Sequence, residues 1–307
     1  MVGYLFAGQG SQYIGMGKDL YESFPESKSI FDEADKVLGF SISRLCFYGP
    51  IEELTKTANC QPAIVTASIA AWEAFKKVTK TQIHHDTSYT AGLSLGQYSA
   101  LVASEVMTFA DTVYLARCRG EFMEEEAAKR PGKMLSVIGL ELSKIKEICA
   151  ETNIEIANLN CPGQIVISGP AEGVIKAQEL AMAKGAKMAV LLEVSGAFHS
   201  SLMQGASVKL AKELEKIRIS PPKMTLVSNV TGKPISSPEE IRVNLINQIA
   251  QSVLWEDSIR YMLGSGMKKF YEFGPGKVLK GLMRRIDPEA VVVNIDKKAD
   301  LDSVGSM

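Results

Sequence analysis

A serine between two glycines is the residue of this sequence with the clearest chemical potential. The stretch Gly92-Leu93-Ser94-Leu95-Gly96 fits the pattern G-x-S-x-G. In that pattern a serine occupies a strained turn between a strand and a helix, and its hydroxyl projects from the sheet edge. A chance match is the alternative, because so short a pattern is common. The β-rich run before Ser94 and the helical run after it favour a nucleophile.

A serine hydroxyl needs a base, and the chain contains three histidines. His84 and His85 lie together in a polar stretch, where we expect them to be solvated. His199 follows a predicted strand, and it comes after Ser94 in the chain, the order found in α/β-hydrolases. We therefore predict His199 as the general base, with a hydrogen-bonded structural histidine as the alternative. No Asp or Glu stands out as a third member.

A positive charge in apolar surroundings is the third element. On a helix predicted from Phe109, capped by Thr108, Arg117 has Glu121 four residues later and suits an exposed face. Arg119 instead has only apolar helical neighbours: Leu115, Ala116, Phe122 and Met123. A buried guanidinium must find an anion, and its planar fork suits a carboxylate. That anion is either the substrate's carboxylate or an internal Asp or Glu.

The turn Gly8-Gln9-Gly10 follows the first predicted strand. It lacks the Lys-Ser/Thr ending of a phosphate loop and the third glycine of a dinucleotide fingerprint, so a nucleotide site is weakly supported. As a turn close to Ser94 it would supply a backbone N–H for an oxyanion. The helix that starts at Leu95 offers further free N–H groups and a positive dipole end.

Composition excludes several classes of protein. The 307 residues are 46% hydrophobic and 22% charged with a net charge of −1, so nothing attracts the whole molecule to nucleic acid or anionic lipid. We expect no signal peptide, because the first residues lack a basic region and a long apolar run, and no apolar stretch is long enough to span a membrane. The five cysteines are scattered without metal spacing, and we expect reduced core thiols, no metal site and a cytoplasmic protein.

Strand-like and helical runs alternate, which predicts an α/β fold. Within residues 133–194 the predicted order is β-α-β-β-α-β, the ferredoxin-like unit. It follows a charged, turn-prone stretch, 124–132. We therefore predict a smaller ferredoxin-like domain, residues 129–194, inserted into a larger discontinuous domain that comprises residues 1–128 and 195–307.

Seven segments in order along nearly the whole chain resemble the malonyl-CoA:acyl carrier protein transacylases: FAGQGSQYIGMG, GLSLGQYSALVAS, ARCRGEFM, ANLNCPGQIVISG, GAFHS, SNVTG and EFGPGKVLKGL. The resemblance implies an α/β-hydrolase-like large domain with a ferredoxin-like insert. It also implies ping-pong transfer of malonyl from malonyl-CoA, the substrate, through an ester on the serine to the phosphopantetheine thiol of an acyl carrier protein in fatty-acid synthesis. No bound cofactor is implied.

The resemblance also implies site roles. Ser94 matches the nucleophile, His199 the base and Arg119 the binder of the malonyl carboxylate. The backbone N–H groups of Gln9 and Leu95 match the oxyanion hole. In this family a main-chain carbonyl holds the histidine, and Gln248 is the residue we favour for it.

Leu93 and Phe198 are the residues we predict to bound the acyl pocket. Leu93 and Gln97 are positions at which this chain differs from many members of the family. Phe198, before the base, resembles the malonyl type rather than the branched-extender type of acyltransferase. Many relatives have His where this chain has Leu93, and most have Glu where it has Gln97. Neither departure removes a catalytic group.

A basic stretch after Gly274-Pro275-Gly276 suggests a partner surface. On a predicted helix, positive residues fall three, four and one apart: Lys277, Lys280, Arg284 and Arg285. Carrier proteins are generally acidic, so this face could dock one. A merely solvated basic face is the alternative. We expect a monomer without nucleic-acid or membrane partners.

Two other functions stay open. The first is a free-standing acyltransferase or an acyl hydrolase of a polyketide synthase assembly line, and Arg119 argues against the hydrolase. The second is a non-enzymatic carrier-binding module, against which the complete set of Ser94, His199 and Arg119 counts.

Overall fold

A computed structural model of the chain describes residues 1–79 and 87–305. His84 and His85 lie outside the described residues. The described strands are β1 (Val2–Phe6), β2 (Ser88–Gly92), β3 (Gly132–Ile138), β4 (Glu155–Cys161), β5 (Gln164–Pro170), β6 (Met188–Leu191), β7 (Thr225–Val227), β8 (Pro234–Ile235), β9 (Val253–Leu254), β10 (Lys269–Phe273) and β11 (Val291–Ile295).

The helices surround two sheets that these strands form. In chain order the described helices are α1 (Lys18–Ser23), α2 (Pro25–Leu38), α3 (Ile42–Tyr48), α4 (Ile51–Thr55), α5 (Thr57–Thr79), α6 (Gly96–Ala103), α7 (Phe109–Lys129), α8 (Leu142–Thr152), α9 (Ala171–Ala183), α10 (Gln204–Leu214), α11 (Pro238–Gln248), α12 (Trp255–Gly264), α13 (Val278–Ile286) and α14 (Lys298–Gly305).

The six-stranded sheet carries the predicted nucleophile. Its strand order is β11-β10-β1-β2-β7-β8, and all neighbours are parallel except β7 and β8. Because β1 and β2 are central and parallel, their carboxyl ends meet at one edge. The turns that follow them, with Gln9 and Ser94, therefore start side by side.

The second sheet is antiparallel over four strands. Its order is β6-β3-β5-β4-β9, and β9 adds a short parallel strand from the later part of the chain. Helices α8 and α9 pack together and both contact the sheet. The order of elements matches the predicted β-α-β-β-α-β run, and the α/β class is confirmed as a mixed fold with two sheets.

An aromatic cluster forms the part of the core between the six-stranded sheet and α5. Trp72 of α5 lies with its ring centroid 4.9 Å from that of Tyr4 and 5.1 Å from that of Phe273. Phe6 stacks on Phe273 at 5.4 Å. Such edge and offset contacts each stabilise the fold by about 0.5–1.5 kcal/mol beyond area burial. They fix β1, one of the two strands whose ends carry the site, against β10 and α5.

Apolar residues at helical spacing predict a helix over residues 62–77, but α5 begins at Thr57, and Pro62 lies inside it. Proline has no N–H to donate to the carbonyl four residues back, which here belongs to Ala58. Arg117 Nη1 donates to that carbonyl at 3.1 Å, so its orphaned oxygen is satisfied. The proline is tolerated because a partner from α7 replaces the missing donor.

The structure also corrects our prediction for the charged stretch before the second sheet. We predicted residues 124–132 as turn-prone, but α7 continues to Lys129. Lys129 Nζ lies 3.0 Å from a Glu126 carboxylate oxygen on the same helix, a pairing that supports the last turn. The helix start is as predicted, because the Thr108 side chain accepts the Asp111 N–H at 3.1 Å.

Candidate active site

Ser94 occupies a tight turn between β2 and α6. Its φ is +50°, a region that residues other than glycine rarely occupy. A Cβ at Gly92 would lie 1.9 Å from the Gly96 carbonyl carbon, and one at Gly96 would lie 2.1 Å from the Phe6 carbonyl oxygen. Both glycines of the pattern are therefore required for packing, and the turn raises the Ser94 side chain above the sheet edge.

The structure brings Ser94 and His199 together. Ser94 Oγ lies 2.7 Å from His199 Nε2, and His199 Nδ1 lies 2.7 Å from the main-chain oxygen of Gln248. A carbonyl only accepts, so Nδ1 carries the proton and Nε2 presents its lone pair to the serine hydroxyl. That is the tautomer that a general base requires.

His199 is held as a neutral imidazole. The residue is buried, and its φ is +57°. Burial lowers its pKa to about 4, and the positive charge of Arg119 acts in the same direction. The hydrogen bond to the Gln248 carbonyl opposes this shift without reversing it. At neutral pH the ring is therefore ready to accept a proton.

The Arg119 guanidinium contacts the Ser94 hydroxyl. Its side chain is 1% exposed, its Nη2 donates to Ser94 Oγ at 3.2 Å and its Nη1 donates to Gln61 Oε1 at 2.7 Å. The guanidinium carbon lies 5.5 Å from the centre of the Tyr98 ring. Burial lowers the Arg119 pKa. In the described part of the chain no carboxylate pairs with it and its Nε has no partner.

This environment separates the two alternatives that the sequence leaves open for Arg119. An internal Asp or Glu partner is not found among residues 1–79 and 87–305. A desolvated cation costs free energy unless an anion approaches it. The charge is therefore available to a ligand carboxylate next to the Ser94 hydroxyl.

Two backbone N–H groups flank the nucleophile. The loop with Gln9 packs against the turn, since a Cβ at Gly8 would lie 2.5 Å from the Leu93 carbonyl oxygen. Across the described ranges, the N–H groups of Gln9 and Leu95 find no protein acceptor. Unsatisfied donors at this place suit an oxygen that gains negative charge.

Leu93 and Phe198, which we predicted to bound the acyl pocket, directly precede Ser94 and His199 in the chain. Leu93 is half-buried and packs against the apolar cluster around Trp255. Phe198 is 5% exposed and belongs to the main hydrophobic core. A cleft of about 430 Å³, lined in part by Gln9, Thr57 and Ser195, opens beside the site.

Sequence reasoning assigned no role to Gln61, Tyr98 or Asn229. Gln61 holds the Arg119 guanidinium, Tyr98 lies beneath it, and Asn229 contacts the Ser94 backbone. Gln61 and Asn229 are both fully buried polar residues. A polar side chain within an otherwise apolar helical stretch was the available signal for Gln61, and the SNVTG segment contained Asn229.

The predicted basic residues lie around α13. Lys277 precedes the helix, and Lys280, Arg284 and Arg285 are exposed on it. The buried Glu272 carboxylate accepts the Lys280 N–H at 2.9 Å and so holds the helix start. Burial raises the pKa of Glu272 to about 7.

Two features of the described ranges bear on other functions. No group of three or more His, Cys, Asp or Glu side chains there has a metal-binding arrangement. None of the helices described combines the length and apolar character needed to cross a bilayer. The five cysteines are free and buried, as expected.

Comparisons with known proteins show the family of this chain. The family described as "Acyl transferase domain" matches residues 3–284. The malonyl CoA-acyl carrier protein transacylase of Bacillus subtilis (strain 168) is 45% identical over 93% of this chain and 90% of its own. The crystal structure of an acyl-carrier-protein-S-malonyltransferase from Bartonella henselae has a TM-score of 0.93 and 38% identity, covering 100% of this chain and 99% of that one.

A further solved structure is a malonyl-transacylase in complex with its type II PKS acyl-carrier protein, AntF. It has a TM-score of 0.95 and 36% identity, and 99% of each chain is covered. Identity and coverage at these levels, together with the Ser94–His199 pair, identify the family. The chain belongs to the malonyl CoA-acyl carrier protein transacylases, within the acyl transferase domain family.

Proposed function

We propose that this protein transfers malonyl from malonyl-CoA to the phosphopantetheine thiol of an acyl carrier protein, and so supplies fatty-acid synthesis. The observation that carries the proposal is the Arg119 guanidinium, 3.2 Å from Ser94 Oγ and unpaired with any carboxylate of the described ranges. A charge-assisted, two-pronged contact to the malonyl carboxylate would hold the acyl group at the nucleophile.

The first half-reaction loads the serine. Ser94 Oγ attacks the thioester carbonyl carbon while its proton passes to His199 Nε2. The N–H groups of Gln9 and Leu95 stabilise the oxyanion of the tetrahedral intermediate. When the carbon–sulfur bond breaks, the CoA sulfur takes the proton from His199, and malonyl stays as an ester on Ser94.

The second half-reaction reverses these roles. The carrier's thiol gives its proton to His199 and attacks the ester carbonyl of malonyl-Ser94. The carbon–oxygen bond breaks, Ser94 recovers its proton from His199, and the malonyl thioester leaves on the carrier. The Gln248 carbonyl keeps the imidazole in the tautomer required in both directions.

Arg119 also bears on the alternatives. An acyl hydrolase that acts on simple acyl chains would not need a buried cation beside the serine. A carrier-binding module would need neither Ser94 nor His199. One structural relative is a malonyl-transacylase in complex with a type II PKS acyl-carrier protein. Fatty-acid and polyketide carriers share the phosphopantetheine thiol, so the same site would serve either one.

Further proposals concern the shape and surface of the protein. We propose an α/β-hydrolase-like large domain, residues 1–128 and 195–307, with residues 129–194 as a ferredoxin-like insert. Leu93 and Phe198 bound the acyl pocket in this proposal. The exposed basic residues at α13 would attract an acidic carrier: Lys277, Lys280, Arg284 and Arg285.

Mass spectrometry of the intact protein tests the proposal. Brief exposure to malonyl-CoA should add one malonyl group to the wild type, and a carrier protein with its phosphopantetheine arm should remove it. The Ser94→Ala variant should stay unmodified. Labelling that persists in Ser94→Ala, or malonyl that leaves only as free malonate in the presence of carrier, would contradict the proposal.

A further inference from the structure

Asn229 is a buried side chain that joins the two sides of the serine turn. It lies just after β7 and has no exposed surface. Its Oδ1 accepts the Ser94 N–H at 2.7 Å, and its Nδ2 donates to the Gly92 carbonyl at 2.9 Å. We propose that Asn229 is a positioning residue for malonyl transfer, an inference that rests on the function proposed above.

The amide of Asn229 has a defined orientation. With the amide reversed, its NH₂ group would face the Ser94 N–H and its oxygen would face the Gly92 carbonyl, so both bonds would be lost. Gln248 Nε2 donates to the same Oδ1 at 3.0 Å, and the Asn229 N–H donates to Gln97 Oε1 at 3.2 Å. These neighbours hold the Asn229 side chain in the orientation that suits the turn.

The turn needs such a support because Ser94 is strained. A residue other than glycine keeps a positive φ only where contacts with the surrounding structure hold it there. The Asn229 amide accepts the Ser94 N–H and donates to the Gly92 carbonyl, and so joins the two ends of this strained segment. Without it, the turn would be free to relax, and Ser94 Oγ would leave its position 2.7 Å from His199 Nε2.

The same network reaches the base. The Gln248 side chain donates to the Ser94 carbonyl at 3.1 Å as well as to Asn229, while its main-chain oxygen accepts from His199. Asn229 therefore helps to set the serine against the residue that orients the imidazole. It contacts neither the imidazole nor the acyl group in this proposal, and it acts through the Ser94 backbone.

Two variants test this role. Asn229→Ala removes both bonds to the turn. Asn229→Asp keeps the size of the side chain and the acceptor for Ser94, but it places a second oxygen against the Gly92 carbonyl. A displacement of the nucleophile by about 1 Å costs about 100-fold in rate. We expect a loss of that order in the rate constant for Ser94 acylation, with KM for malonyl-CoA within about threefold of wild type.

Asn244→Ala is the matched control. Asn244 is also a buried amide, on α11, with its Oδ1 2.7 Å from Ser228 Oγ and its Nδ2 donating to the Glu240 carbonyl at 2.8 Å. Neither of these bonds reaches the serine turn, so the loss of Asn244 should lower thermal stability and leave the acylation rate constant at the wild-type value.

The experiment measures single-turnover acylation by malonyl-CoA and, separately, inactivation by a serine-directed organophosphonate. Both rates should fall in the folded Asn229 variants and not in Asn244→Ala. A folded Asn229→Ala or Asn229→Asp protein that reacts with the phosphonate at the wild-type rate overturns the inference, as does a change confined to KM. A wild type that reacts with phosphonate but not with malonyl-CoA would refute the proposed function alone.

Discussion

Replacement of Arg119 by alanine is the most direct test of substrate choice. Arg119 is 1% exposed, so solvent screens its charge little. The free energy of its contact to a carboxylate is therefore that of a hydrogen bond to a charged group. That figure is about 1.5–3 kcal/mol, or about ten- to over a hundredfold in transition-state binding. Because no carboxylate of the described ranges pairs with Arg119, its removal strands no internal anion.

The assay compares kcat/KM for Ser94 acylation by malonyl-CoA and by acetyl-CoA. Arg119→Ala should lower the ratio of malonyl to acetyl by about ten- to over a hundredfold, because only malonyl presents a carboxylate. Arg117→Ala is the control on the same helix. Arg117 is bonded to Glu121 and Asn59, with distances of 2.6 Å to each, so its loss should leave the ratio unchanged.

The reasoning on Arg119 would be refuted by an equal loss on both acyl donors in a folded variant. In that case the guanidinium would act on the serine turn or on the hydroxyl, which it contacts at 3.2 Å, rather than on the acyl carboxylate. A ratio that falls in Arg117→Ala as much as in Arg119→Ala would also remove the assignment.

Two further predictions concern the base and the carrier. Because the His199 pKa is lowered to about 4, its neutral form dominates above that pH, and acylation at about pH 5.5 should stay above about 90% of its value at about pH 7.5. A half-maximal rate near pH 6.5, the ordinary histidine value, would contradict this. The double charge reversal Lys280→Glu with Arg284→Glu should raise KM for the carrier and spare KM for malonyl-CoA, whereas Lys36→Glu on α2 should change neither. An unchanged carrier KM in the double variant would remove the docking surface.

The strands and helices at the site were largely predictable because their signals are local. The β-rich run before Ser94 predicted the strand that the structure has as β2, and Thr108 as a cap predicted the start of α7. The prediction for the end of α7 was wrong because a run of charged residues resembles a loop. A helix accommodates such a run when the charged side chains form ion pairs along it. The start of α5 was wrong because the donor that compensates for Pro62 comes from Arg117, 55 positions away along the chain.

The chemistry that a residue type can perform is a property of the sequence alone. A serine between glycines, few histidines and an arginine with apolar neighbours were enough to propose a nucleophile, a base and an anion partner. These signals depend on local sterics and on the cost of desolvating a charge, both of which act within one helix or turn.

What the sequence left open was decided by contacts between distant segments. Arg119 meets Gln61 and Ser94 rather than an internal carboxylate, and the main-chain oxygen of Gln248, which only the family resemblance had indicated, holds His199. No local pattern encodes such pairings, because a backbone carbonyl looks the same at every position and a buried amide finds its partner only when the sheet edge and α11 pack together. Tertiary packing, through the directions it imposes on hydrogen bonds, therefore determined which groups face the nucleophile.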